Sequence, residues 1–91
     1  MSTPVGYQQI TSLSGSTALT VPTTGQQLPV YAIIRPQTQA VRWRDDGTAP
    51  TASVGYPLAV GEELKYGGDL KAIRFIEQAA SAAINVSYYY G

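Results

Sequence analysis

DLKAIRFIEQAASAAINVSYYY, residues 69–90, is the stretch on which the fold turns. Read as a helix, it has Asp69 as N-cap and Ile73, Ile76, Ala80 and Ala83 along one face. Read as strands, LKAIRFIE runs into an Ala/Ser turn and returns as INVSYYY (84–90). Gly67-Gly68 just before it and a β-branched, aromatic segment just after it favour the strand reading, a meander of short elements. In that reading Ile73, Phe75 and Val86 are core positions.

The same pattern continues toward the N-terminus. EELKY (62–66) alternates and ends at Gly67-Gly68. VYAIIR (30–35) is an apolar run between Pro29 and Pro36, as expected of a strand buried on both faces, with Ile33 in the core. QAVRWR (39–44) alternates, so Val41 and Trp43 point inward as anchors while Arg42 and Arg44 point outward. Asp45-Asp46-Gly47-Thr48 is a turn, because Asp-Gly accepts the positive φ of tight turns. Pro50 and Pro57 lack N–H donors, which makes 49–57 mostly loop or edge. The total is about six to eight short strands, the pattern of an all-β domain. The expected architecture is a small antiparallel β-sandwich or a jelly-roll-like barrel over residues 30–91.

Residues 1–29 read differently. All twelve charges lie between Arg35 and Glu77, and the first 34 residues are rich in Ser, Thr and Gln. Such a segment is either a polar arm or an uncharged surface that meets a partner, since interface cores are depleted in charge. TALTV (17–21) has enough β-branched character for a strand. A chain beginning near Val30 is therefore expected to stay folded and to lose its partner.

Composition narrows the function classes. The chain has 91 residues, no Cys and no His. That removes disulfides, thiolate metal sites, the commonest metal ligand and the commonest general base. Of the usual supplements to a thin core, subunit association is the one left open. Six basic residues balance six acidic ones, so there is no cationic surplus for a nucleic acid. No window is long and apolar enough for a membrane span, and MSTPVGYQQI is not a secretory signal. Asp45-Asp46 and Glu62-Glu63 are adjacent carboxylates whose side chains diverge along a strand, so a turn or surface role outweighs a cation site. No spacing makes Lys65 or Lys71 a base for a nucleophile. The expectation is a non-enzymatic chain without cofactor. Asn85-Val86-Ser87 fits a glycosylation sequon, which carries little weight without a secretory signal.

Two surfaces remain as contact candidates. One is the polar rim Arg42, Arg44, Asp45 and Asp46, suited to charge-assisted bonds across an interface. The other is Tyr88, Tyr89 and Tyr90: three consecutive rings put aromatics on both faces of the last strand, so the second face is expected to be covered. Alternatively, Trp43 with one or more of Tyr56, Tyr66 and Tyr88–Tyr90 would form a stacking platform for a glycan.

The blocks RWRDDGTAPTASVGYPL (42–58), GEEL (61–64), LKAIRFIEQAA (70–80) and INVSYYYG (84–91), in that order, resemble a group of small virion proteins of tailed bacteriophages. The resemblance covers roughly residues 30–91. It implies a structural protein of the particle, made in the bacterial cytoplasm and incorporated into the virion. Capsid decoration, or cement, is the foremost role, with the major capsid protein or another virion protein as partner. It also implies a homo-oligomer, a trimer ahead of a dimer. Head–tail junction and tail positions are the alternatives. It transfers no individual functional residue.

Overall fold

The computed structural model describes residues 3–22 and 28–90. They form eight strands and, among the described residues, no helix: β1 (Thr3–Ile10), β2 (Thr17–Ala18), β3 (Tyr31–Gln37), β4 (Val41–Arg44), β5 (Tyr56–Leu58), β6 (Leu64–Tyr66), β7 (Arg74–Glu77) and β8 (Ala83–Tyr90). The strands make two four-stranded antiparallel sheets, ordered β1-β8-β3-β6 and β2-β7-β4-β5. Every connection except β4–β5 passes from one sheet to the other. The fold is an all-β sandwich, and residues 69–83, the ambiguous stretch, hold a turn and strand β7.

The core is what two facing pleated sheets produce. Ala32 and Ile34 of β3 and Ile84, Val86 and Tyr88 of β8 face Val41 of β4, Leu58 of β5 and Phe75 of β7, with Ile73 and Leu70 closing one end. Each strand contributes alternate residues, because successive side chains leave opposite faces of the pleat. That alternation corrects three sequence expectations. VYAIIR is buried on one face only: Ala32, Ile34 and Pro36 point inward, and Ile33 stands half-buried on the outer face beside Lys65 and Ser87. Trp43 is partly buried and packs on the rim of the core rather than inside it. Tyr88 lies fully in the core, whereas Tyr89 faces outward and Tyr90 is exposed.

The N-terminal segment is not an appended arm within the described residues. β1 pairs with β8 along its length, from Thr3↔Tyr90 to Ile10↔Ile84. Leu13 and Leu19 belong to the buried cluster, and the Leu13 carbonyl accepts the Glu77 N–H at 2.9 Å. The Gln8 side-chain oxygen accepts both the Thr20 N–H, at 3.0 Å, and the Tyr88 hydroxyl, tying the crossing chain to β1 and β8. Leu13 and Leu19 are buried, whereas β1 is exposed or half-buried along its length and is held by strand pairing.

The β3–β4 corner is strained. Gln39 N–H donates to the Gln37 carbonyl at 2.9 Å around Thr38, whose φ is +76°. A γ-turn with positive φ is rare, and a β-branched residue there costs on the order of 1–3 kcal/mol. Thr38→Gly relieves that strain at the expense of a more flexible unfolded chain. The net expectation is a gain of about 1 kcal/mol, or ~4–8 °C in Tm for a domain of this size. Calorimetry that shows a lower Tm would contradict the strain.

Candidate functional site

The hairpin β4–β5 shows how far its decorated loop is internally committed. Arg42 donates to the carbonyls of Ala52 at 3.0 Å and Gly55 at 2.8 Å, folding the 45–55 loop back onto the strand. Thr51 Oγ1 accepts the N–H groups of Ser53 and Val54 and rounds the loop tip. Gly55, at φ +143°, lets the chain pass close to the strand: a Cβ there would stand 3.1 Å from the Trp43 carbonyl oxygen. Arg44 pairs with Asp46 at 2.5 Å, and Asp46 also accepts the Thr48 N–H. The Arg44 hydrogen bond holds the Asp46 carboxyl below the usual carboxylate range, and raises the guanidinium in turn. Both groups face solvent, so the pair sets loop geometry more than stability.

Asp45 turns the other way and accepts the Tyr66 hydroxyl at 2.7 Å. Gly68 makes room for that ring: a Cβ there would fall 2.6 Å from Tyr66 Cζ. Trp43 touches both neighbours, Tyr56 at 4.9 Å in a tilted pair and Tyr66 at 5.8 Å edge-on. Three of the aromatic residues considered for a glycan platform therefore do come together, but mainly on one another. Only Tyr56, 62 % exposed, offers an open ring, above a cleft of about 310 Å³ lined also by Arg44, Asp45, Asp46 and Gly55. Tyr88 is buried, and Tyr89 lies on the other sheet. Among the described residues no three acidic side chains meet, so the two aspartates form no cation cage.

Burial, with the Asp45 hydrogen bond second, pushes the Tyr66 phenol up to about 12, and burial alone does the same for Tyr88. A folded pKa above the unfolded value near 10 means that the neutral phenol is the form the fold prefers. The stabilisation is complete below about pH 10 and is lost as pH rises from there toward about 12. The urea midpoint is expected to be level up to about pH 10 and to fall steeply above it. Tyr88→Phe should flatten part of that fall; an unchanged profile in the variant would remove Tyr88 from the account.

The outer face of the β1-β8-β3-β6 sheet is a second organised surface. Direct cross-strand partners share a face, so Tyr7 and Gln9 of β1 lie beside Ser87 and Asn85 of β8, which lie beside Ile33 and Arg35 of β3. Asn85 is the hub. Its oxygen accepts the Tyr7 hydroxyl at 2.5 Å and Gln9 Nε2 at 3.3 Å, while its Nδ2 donates to Gln37 at 2.7 Å. At the other end Tyr31 and Tyr89 stack at 5.1 Å, and Lys65 Nζ sits 4.7 Å from the Tyr31 ring centre. Arg35 and Glu63 pair at 2.7 Å along the margin. Tyr7 is 64 % exposed. The side chains are thus fixed by one another before anything binds, which lowers the entropic cost of contact.

Sequence reasoning singled out Tyr89 here, weighed Asn85 only as part of a glycosylation sequon, and missed Tyr7, Tyr31 and Gln37. Their signal was the period-two placement of tyrosines and amides on three strands, usable only once the strand order was known. A hollow of about 480 Å³ lies elsewhere, between Val21–Pro22, Leu28–Val30 and Gly68–Lys71. Its walls are largely apolar, and Asp69 at its rim commits its carboxylate to the Lys71 N–H at 2.9 Å. The chain matches no protein-family model, no curated protein and no solved structure.

Proposed function

We propose that this chain is a non-enzymatic structural protein of a tailed-phage particle, foremost a decoration protein that clamps neighbouring capsid subunits as a homo-oligomer. The observation that carries the reading is the outer face of the β1-β8-β3-β6 sheet, where tyrosines and amides are locked in place by mutual hydrogen bonds and stacking. Tyrosine suits such a face because it offers a large rigid ring with a polar tip. The face also holds its few charges at one side, in the Arg35–Glu63 pair and at Lys65. A preorganised and nearly neutral sheet face fits another protein surface better than a small substrate, which calls for a concave pocket. The sequence resemblance supplies the particle as the setting. Repetition over many sites would turn a modest contact per copy into a firm clamp.

The test adds purified chain to expanded heads that lack it. Saturable binding in a fixed ratio to capsid subunits is expected. Tyr7→Ala combined with Tyr89→Ala should weaken it by about tenfold or more, equivalent to about 1.4 kcal/mol, while the fold persists. Binding confined to tails or to the head–tail junction would move the chain to those positions. No binding to any part of the particle would end the proposal.

A further inference from the structure

The four outer strands of the two sheets are unlike one another. β2 has two residues; β5 has three and contains Pro57; β6 has three and contains Lys65. Brevity, proline and lysine are the devices that keep sheet edges from pairing with other chains. β1 has eight residues and no charge, and sits at the edge of its sheet. Among the described residues its backbone ladder runs only to β8. Pro4 and the register shift between Pro4 and Gly6 interrupt its beginning, but from Gly6 to Ile10 the register is continuous. That run presents a second row of N–H and C=O groups with nothing in its own sequence to blunt it.

We infer that this edge is a docking site for a second copy of the chain, whose β1 adds antiparallel to it and joins the two sheets into one continuous sheet. Charge argues for the copy as the occupant. An edge strand laid against itself across a two-fold axis sets its own residues opposite one another, and like charges so placed would repel. Gly6, Tyr7, Gln8, Gln9 and Ile10 are all neutral, so self-pairing meets no such cost. With Gln8 opposite itself, Tyr7 faces Gln9 of the second copy on the outer face. Both side chains already lie in the plane of that face, held by Asn85. The amide and tyrosine array then extends across the axis, so one dimer presents two arrays to a partner. Such pairing closes at two chains, because the two β1 edges use each other up. The inference does not depend on the virion reading.

Native mass spectrometry at micromolar concentration tests it. The chain is expected at twice its 9.7 kDa mass. The double substitution Tyr7→Lys with Gln9→Lys puts lysine opposite lysine and should weaken the dimer at least about tenfold. Circular dichroism and Trp43 emission report whether the variant is folded. Mixing it with the Tyr7→Glu, Gln9→Glu variant should restore a mixed dimer, which a merely unfolded variant could not do. A single-chain mass at high micromolar concentration would overturn the inference. So would a trimer, a dimer indifferent to the lysines, or a mixture that fails to reassociate.

Discussion

A chain that begins at Val30 is expected not to fold. It would lose β1, which lines β8 from Thr3↔Tyr90 to Ile10↔Ile84, and β2, which pairs with β7. It would also lose Leu13 and Leu19 from the buried cluster. Each buried leucine contributes roughly 1.5–3 kcal/mol. Uncovering Ile84, Val86 and Tyr88 on the β1 side adds to the loss, and a domain has only about 5–15 kcal/mol in all. The expected result is Trp43 emission near that of the denatured chain and no cooperative urea transition. An unchanged transition would mean that residues 3–22 merely coat a core complete without them. The sequence expectation was the opposite, so this experiment separates the two directly.

The second large effect is at Tyr88. Tyr88→Ala empties the centre of the core and is expected to cost about 3–5 kcal/mol, in line with other large aromatic truncations. Tyr88→Phe keeps the ring and removes only the hydroxyl bonded to Gln8, whose oxygen still accepts the Thr20 N–H. Its expected cost is about 1 kcal/mol. Tyr90→Ala, two residues on at the exposed end, should fall within about 0.5 kcal/mol. Urea midpoints for the three variants give the order. If Tyr88→Ala were as mild as Tyr90→Ala, the inward placement of Tyr88 would be wrong and a subunit contact there would regain ground.

The strands whose sequences alternate were legible: QAVRWR and EELKY each contain an observed strand, INVSYYY lies within β8, and the loop after Arg44 is a hairpin loop. What stayed hidden was contact across the chain. The uncharged first third reads as an arm because its inward residues include Gly6 and Gln8, which break the apolar alternation of β1. Gly6 is required by the approach of Pro22, since a Cβ there would lie 2.9 Å from the Pro22 ring. Gln8 is polar because it satisfies the Thr20 N–H and the Tyr88 hydroxyl. Likewise Asp45 looks like half of a carboxylate pair until Tyr66 is seen to bond it, and Tyr88 looks like a subunit contact until the facing sheet is seen to bury it. Arg42 reads as a fork for a neighbour, yet both of its partners lie in its own loop. Each misreading comes from an interaction between residues distant in sequence, to which local periodicity is blind.

The pairing of the first strand with the last has a consequence for how the protein is made. Synthesis delivers β1 first and β8 last, so β1 waits for several seconds of translation with its ladder unmade. The centre of that sheet cannot close until β8 has emerged from the ribosome, so β1 and β3 wait for it. Non-local closure of this kind is slow, and until then the neutral β1 is open to strands of neighbouring nascent chains. The same adjacency frees the chain's order from its shape. With Thr3 beside Tyr90, a short linker could join the ends and a new opening could be cut at the exposed turn around Val60, leaving the sheets intact. In that reordered chain β8 and β1 would emerge consecutively as a hairpin, and the slowest step of assembly would become a local one.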